Sequence, residues 1–424
     1  MNPTINSNSS PRFAEKGFTV LSLFLLTGAL LPLLQRESGT VYDPAQGDPL
    51  AQLIFGGIYA ITYFLLLVRW KTVLRVVTSE KLLVLLVGLA ALSVLWSDAP
   101  PITLRRALAL LGTTLFGAYL AIRYSPGELL RLLAWALGLA AVLSLVFALL
   151  VPDYGISQQG HLSGWRGIYG HKNSLGRMMA LGAPVFFLLA LDSHRGRWAL
   201  WTGFGLSVAL VILSNSVTAW LMLLILAFLF IVQRAVRTHP LFAAPAFLLL
   251  FLLGVGILFG ALLNADTLLS VLGRDTTLTG RTRMWAPLMD EVFKRPWFGH
   301  GYGAFWLGWE GESASVWRTV GWTPPHAHNG FFDLTLELGF VGFAVFSLHF
   351  LRGIRKAVLR VCSSKTTDAV WLLTYMMFIF VYNLTESSIL ARNSLLWALY
   401  TATLLSLRLS YAPKAEPSIA SPPR

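Results

Sequence analysis

Residues 128–151 read ELLRLLAWALGLAAVLSLVFALLV. After Arg131 the stretch carries no charge, and its apolar side chains cover every face of a helix. A helix at the surface of a soluble protein keeps a polar face. A membrane span needs roughly 17–25 predominantly apolar residues, so this segment is read as a span whose solvent is lipid. Similar stretches recur at about 17–35, 50–68, 81–97, 102–122, 174–191, 198–214, 217–233, 240–263, 329–350, 369–385 and 393–410. Breakers such as Pro100-Pro101, Pro126-Gly127 and Pro152 mark their ends, and Ser214-Asn215-Ser216 divides what would otherwise be one long span.

The expected fold is therefore all-α, a polytopic transmembrane bundle of about twelve spans. Spans one to nine occupy residues 1–263, a large loop 264–328, and spans ten to twelve 329–410. The segment 411–424, Pro/Ser-rich, reads as a disordered cytoplasmic tail. Composition agrees: of 424 residues, 55% are hydrophobic and 12% charged, with a mean hydropathy of +0.65. A soluble domain carries roughly 25% charged residues. The first apolar segment, starting near Gly17, has span length and no clear cleavage site, and reads as a retained span. Cys362, the single cysteine, excludes an internal disulfide framework and a Cys-rich metal centre.

The net charge of +13 would suit nucleic acid in a soluble protein. In a membrane protein it reads as basic cytoplasmic loops, and no nucleic-acid partner is expected. With the N-terminus inside, Arg69, Lys71, Arg75 and Lys81 face the cytoplasm, as do Arg352, Arg355, Lys356, Arg360 and Lys365. The loops at Arg123–Arg131 and Arg195–Arg197 would change sides if a span near Pro100 or Ser214 were miscounted.

The remaining basic residues oppose this trend. Arg105, Arg106, Arg166, Lys172, Arg177, Arg274, Arg281, Arg283, Lys294, Arg295, Arg318 and Arg392 fall outside, with Arg36 near the first loop, several in or beside spans. An ionisable group at membrane depth is costly and usually faces a cavity or partner. Snorkelling to lipid phosphate explains any one of them. The set as a whole indicates an outward pocket for an anionic ligand.

Two outer loops are long enough to build a site. The segment 152–173 holds Arg166 and the run His171-Lys172-Asn173. The larger loop holds Gly280-Arg281-Thr282-Arg283-Met284-Trp285 on a helix in which Arg281, Trp285 and Leu288 share a face and Pro287 forces a late start or a kink. Pro296-Trp297-Phe298-Gly299-His300-Gly301-Tyr302-Gly303 follows, then Pro324-Pro325-His326-Ala327-His328-Asn329 at the mouth of the next span. Tryptophans among glycines suit sugar faces, although an interfacial aromatic belt gives the same composition.

His328-Asn329, nine residues, then Gly339-Phe340-Val341-Gly342 resembles the H-N-x9-G-x-x-G signature of O-antigen ligases and related polymerases. The Gly-Arg-x-x-x-Trp stretch at Gly280 and the Pro-x-x-Gly-x-Gly turn at Pro296 resemble the same superfamily. Tyr169-Gly170-His171-Lys172-Asn173-Ser174-Leu175-Gly176 is more similar to its exopolysaccharide-polymerase branch, of the succinoglycan kind, as are Leu95-Trp96-Ser97-Asp98 and Leu104-Arg105-Arg106-Ala107. The resemblance implies a glycosyltransferase of the bacterial inner membrane with a periplasmic site. It also implies an undecaprenyl-diphosphate-linked glycan donor, an acceptor glycan or lipid, and neither metal nor cofactor. Membrane lipids and a chain-length regulator complete the expected partners.

The residue types fit that chemistry in their own right. Guanidinium forks hold a leaving diphosphate and keep their charge, and an imidazole takes the acceptor's proton at neutral pH. His328 is the expected base, with His326 as the other candidate and an orienting role as the alternative. Arg281 is the expected second catalytic residue. Arg105, Arg106, Arg166, His171, Lys172, Asn173, Arg177, Arg283, Trp285, His326 and Asn329 are expected to bind substrate. Asp333 and Glu337, on one helical face, would position His328 or pair with Arg281 and form no convincing metal site. A flippase or secondary transporter would favour two-half repeats and midplane breaks, and a channel would not need the arginine–histidine set. Polymerase against lipid A–core ligase stays open.

Overall fold

The computed structural model describes residues 10–36, 47–157, 163–238, 279–364 and 366–409. The expected span at 240–263 and the tail at 411–424 lie outside them. Helices α1 (Ser10–Leu26), α2 (Leu31–Arg36), α3 (Pro49–Leu67), α4 (Trp70–Ser79) and α5 (Lys81–Leu92) are followed by α6 (Pro100–Arg123) and α7 (Pro126–Leu150). A short turn, α8 (Pro152–Gly155), leads into a two-stranded antiparallel ribbon, β1 (Ile156–Ser157) and β2 (Gly164–Trp165), in which Ile156 pairs with Trp165. Then come α9 (Lys172–Asp192), α10 (Arg197–Leu213), α11 (Val217–Thr238), α12 (Thr279–Lys294), α13 (Ser313–Val320), α14 (Gly330–Ser363), α15 (Thr367–Asn383) and α16 (Leu395–Leu409).

The chain is a helical membrane protein, and each expected span within the described residues, apart from the first, overlaps a single main helix. By length and apolarity, α3, α7, α9 and α14 suffice to cross a bilayer, and the bent pair α4–α5 would make a fifth. The others are shorter or carry more charge: α6 holds Arg105, Arg106 and Arg123. Local signals set the ends. Pro100 and Pro101 open α6, where a missing N–H costs nothing. Ser125 and Glu128 form a capping box on α7, satisfying two otherwise orphaned donors. The expected first span at 17–35 ends early: α1 stops at Leu26 and the chain turns through Gly28 (φ +80) and Leu30 (φ +63) into α2.

Contacts sort the helix ends into two groups. At one end Glu15 accepts from Arg123 at 2.7 and 2.8 Å, and Lys356 reaches Glu80 at 2.6 Å. Gly127 abuts Asp368, which also senses Asp192. At the other end Asp98 meets His300, Gly164 lies on the Ser214 carbonyl, Leu30 bonds Ile168, and Tyr302 bonds the Leu390 carbonyl. The Arg123–Arg131 segment and the end of α9 thus share an end with Arg352–Lys356, and the Ser214 break lies at the opposite end.

Close helix approach depends on small residues where lipid supplies no hydrophobic drive. At Gly117 in α6, a methyl would lie 2.5 Å from the Ala398 carbonyl oxygen and 2.6 Å from Thr401 of α16. Trp371, Tyr375, Trp397 and Tyr400 fill the adjoining core. A second, smaller core lies above the bundle. Met284, Leu288 and Val292 on one face of α12 pack with Phe305, Val316, Ala327 and Leu336. The buried face of α12 therefore centres on Met284–Leu288–Val292, and Trp285 flanks it, half-buried. Pro287 sits inside α12; the helix begins before it.

The two cores meet at a break in α14. Gly339 takes φ +66 and ψ −170 within an otherwise helical run. An uninterrupted helix would bond Phe340 to Leu336 and Val341 to Glu337. Instead Phe340 and Val341 donate to the carbonyls of Pro296 and Trp297 at 2.7 and 3.2 Å. The carbonyls of Leu336 and Glu337 accept from His300 and Gly301 at 2.8 and 3.0 Å. The turn before Tyr302 thus fills the gap. A methyl on Gly339 would lie 2.2 Å from the Trp297 carbonyl group, and one on Gly299 (φ +67) 2.6 Å from the Leu336 oxygen. The Pro-x-x-Gly-x-Gly turn and the Gly339 end of the signature are one interlocked structure.

Candidate active site

The His326–Asn329 segment is shaped by its neighbours. Asn329 is extended and caps α14, its Oδ1 accepting from Phe331 and Phe332 at 3.0 and 3.3 Å. Gly330 follows because Asn383 leaves no room: a methyl there would lie 2.1 Å from Asn383 Oδ1. Ala327 is fully buried, its N–H shared between the two oxygens of Asp333 at 3.0 and 3.2 Å and its carbonyl accepting from Trp285 Nε1 at 3.1 Å. Asp333 also accepts from Trp306 Nε1 at 2.7 Å and from the Ser387 hydroxyl. These bonds hold His328 in the left-handed region at φ +49, a conformation that costs about 1–3 kcal/mol and persists only where surroundings enforce it.

The His328 ring lies 4.2 Å, centroid to centroid, from His326 and 6.0 Å from Trp322. Its Nδ1 is 3.3 Å from Glu386 Oε2, and His326 Nε2 is 3.7 Å from the same oxygen. Glu386 is buried, in the turn after α15 that Asn383 organises by accepting from Ser388 and Ile389. Arg177, in the second turn of α9, donates from Nη1 to the Tyr382 hydroxyl at 2.7 Å and lies 5.4 Å over that ring. Its guanidinium is within electrostatic reach of Glu386, and its Nε has no hydrogen-bond partner among the described residues. His171 caps α9, accepting from Asn173 N at 3.2 Å, so Lys172 and Asn173 stand at the head of the helix that carries Arg177.

The structure thus brings His326, His328, Asn329, Trp285 and Arg177 into one region. Other expected residues stand elsewhere. Arg106 donates to the Gly303 carbonyl and senses Glu337, securing the turn against α14. Arg166 donates to the Tyr154 carbonyl and lies 4.4 Å over that ring, which ties it to the turn of α8. Arg105 is exposed near Gly47, and Arg283 is exposed on α12. Arg281 is in the first turn of α12, and its side chain lies outside the described part of the structure.

Sequence reasoning missed Glu386 and Tyr382. Their only signal was the polar run Tyr382-Asn383-Leu384-Thr385-Glu386-Ser387-Ser388 closing an apolar span. It also missed the latch beneath the turn, where Asp98 bonds Arg295 Nη2 at 2.6 Å and His300 Nδ1 at 2.8 Å. Burial raises the Tyr302 hydroxyl above the usual phenol range and pushes Tyr169 up to about 12, so both stay protonated donors, to Leu390 and Thr27.

His326, His328 and Glu386 each offer one atom within 4.8 Å of the others, a spacing a metal ion would accept. The hydrogen bonds oppose it. His328 N donates to His326 Nδ1 at 3.1 Å, which puts the proton of a neutral His326 ring on Nε2, the atom facing Glu386. A nitrogen that carries its proton is no ligand.

Residues 202–347 match the family described as O-antigen ligase. This reaches from α10 through the signature and ends before Glu386. The chain is also 27% identical over 311 residues to the exopolysaccharide production protein ExoQ of Rhizobium meliloti (strain 1021), across 69% of this chain and 70% of that protein.

Proposed function

We propose that the chain is an inner-membrane glycosyltransferase of the O-antigen ligase/polymerase kind, a reading supported by the family match over residues 202–347 and by the likeness to ExoQ. It polymerises undecaprenyl-diphosphate-linked glycan at the periplasmic face. The observation that carries the reading is His328. Its backbone is strained, its ring lies beside Glu386, and Arg177, within electrostatic reach of that carboxylate, has an Nε without a hydrogen-bond partner among the described residues.

In this reaction an acceptor hydroxyl attacks the anomeric carbon of the donor sugar. The bond from that carbon to the diphosphate oxygen breaks, and its electron pair leaves with the polyprenyl diphosphate. The hydroxyl proton passes to His328 and then to water. Arg177 and Arg281 stabilise the leaving diphosphate, because charge there grows in the transition state. His171, Lys172, Asn173, Arg283 and Trp285 contact glycan or diphosphate, while Arg106 and Arg166 serve through the loops they secure. No metal is required, a reading supported by the proton placed on His326 Nε2. We also read twelve spans with both termini in the cytoplasm, a reading that the two groups of helix ends support for the described residues.

Polymerisation, rather than ligation to lipid A–core, is supported by the role in exopolysaccharide production that the relative's name gives. In a deletion strain, high-molecular-weight polymer should disappear while lipid A–core keeps its normal glycan. Intact polymer with bare lipid A–core would assign the ligase reaction instead.

A further inference from the structure

We propose that Glu386 is the positioning carboxylate of His328, fixing which ring nitrogen is free to take the acceptor's proton, and that His326 fixes Glu386 in turn. The inference rests on the reading of His328 as the base.

The argument follows the protons. His328 N donates to His326 Nδ1 at 3.1 Å. A ring nitrogen that accepts a hydrogen bond carries no proton, so the neutral His326 ring holds its proton on Nε2. That atom faces Glu386 Oε2 at 3.7 Å. The same oxygen lies 3.3 Å from His328 Nδ1. An ionised carboxylate only accepts, so His328 carries its proton on Nδ1. Its lone pair is then on Nε2, at the other edge of the ring from Glu386. A carboxylate behind a catalytic imidazole has this role in hydrolases: it holds the tautomer and stabilises the imidazolium that forms.

The surroundings keep the arrangement in place. Asp333 clamps Ala327 from α14, and Trp322 covers the His328 ring. Among the described residues, the charged and titratable groups facing Glu386 include His326 and His328 from the loop, Arg177 from α9, and Tyr382, which bonds Arg177, from α15. Asp333 faces His328 from α14. Arg177 stands within electrostatic reach of Glu386, whose Oε2 is 3.3 Å from His328 Nδ1 and 3.7 Å from His326 Nε2.

The test is Glu386→Gln in full-length protein, with Glu386→Asp beside it. The amide that Glu386→Gln introduces can donate to His328 Nδ1 and so favours the wrong tautomer. Turnover with a lipid-linked donor should fall about 100-fold or more, with KM for that donor unchanged. Glu386→Asp, which keeps the charge, should recover part of the rate. Nitrogen-15 spectra of histidine-labelled protein, with the His328 signals identified by their loss in His328→Gln, should show Nδ1 protonated in the wild type and Nε2 protonated in Glu386→Gln. That readout needs no substrate. Unchanged tautomer and turnover in Glu386→Gln, with His328→Ala inactive, would overturn this inference and leave the base intact. An active His328→Ala would overturn the base reading itself.

Discussion

His328 combines a strained backbone, a half-buried ring and a place at the mouth of a span, and each has a cause in a neighbouring side chain. Asp333 sets the backbone through Ala327, and Asn329 starts the helix. His328 and Arg177, which the structure brings near Glu386, stood out in the sequence because charge and imidazole at membrane depth are conspicuous, whereas Arg106 and Arg166, equally conspicuous there, turn out to secure loops. Glu386 did not stand out, since it lies 58 residues from His328 and only the packing of α15 against α14 joins them. Glutamine at His328 keeps a polar side chain but cannot take a proton at neutral pH. His328→Gln should therefore lower transfer by about 100- to 10,000-fold while donor binding persists, as measured by turnover and equilibrium binding in proteoliposomes. Near wild-type turnover would make His328 an orienting group. Arg177→Ala should be comparably impaired, and Arg177→Lys should recover only part of the rate, because an ammonium lacks the guanidinium fork. Full activity of Arg177→Ala would remove it from the diphosphate site.

At the scale of elements, the break in α14 explains why Gly339 is glycine. Alanine there meets the Trp297 carbonyl group and a left-handed backbone together. Gly339→Ala should lose about 1–3 kcal/mol from backbone strain alone, with a further cost from the clash, read as a lowered midpoint of thermal unfolding in detergent. Gly205, in α10, meets nothing within 4 Å of an added methyl, so Gly205→Ala is the matched control and should leave the midpoint unchanged or raised. Equal midpoints for the two variants would contradict this account of the break. Apolar runs and their proline or Ser-Asn-Ser ends predicted the helices well, because lipid forces backbone bonds to close within the segment. The amphipathic α4, bent by 92° from α5, and the short α13 were not predicted. The turn that fills α14 was visible as a motif, but its partner was not, because the pairing is between backbones and leaves no side-chain pattern.

For the whole molecule, the two groups of helix ends give a direct expectation about sidedness. The end holding Arg123, Lys356 and Asp368 should be cytoplasmic, and the end holding the 296–303 turn and His328 periplasmic, following the excess of lysine and arginine. Alkaline phosphatase fused at Ser313 should be active and at Ser363 inactive, and the reverse result would remove the proposed site from the face where its substrates are expected. The interlock at Gly339 also bears on biogenesis. Residues 296–301 leave the ribosome before 336–341, so the plug is made first and its socket second. In the folded chain two donors and two acceptors of α14 are satisfied by the 296–301 turn and not within the helix, and any of them left unpaired in hydrocarbon would cost several kcal/mol. With the 296–303 turn on the periplasmic side, as proposed, stable insertion of this span depends on a segment exported before it. A chain whose exported loop is damaged should be rejected at the membrane, as an insertion failure and before any question of catalysis arises.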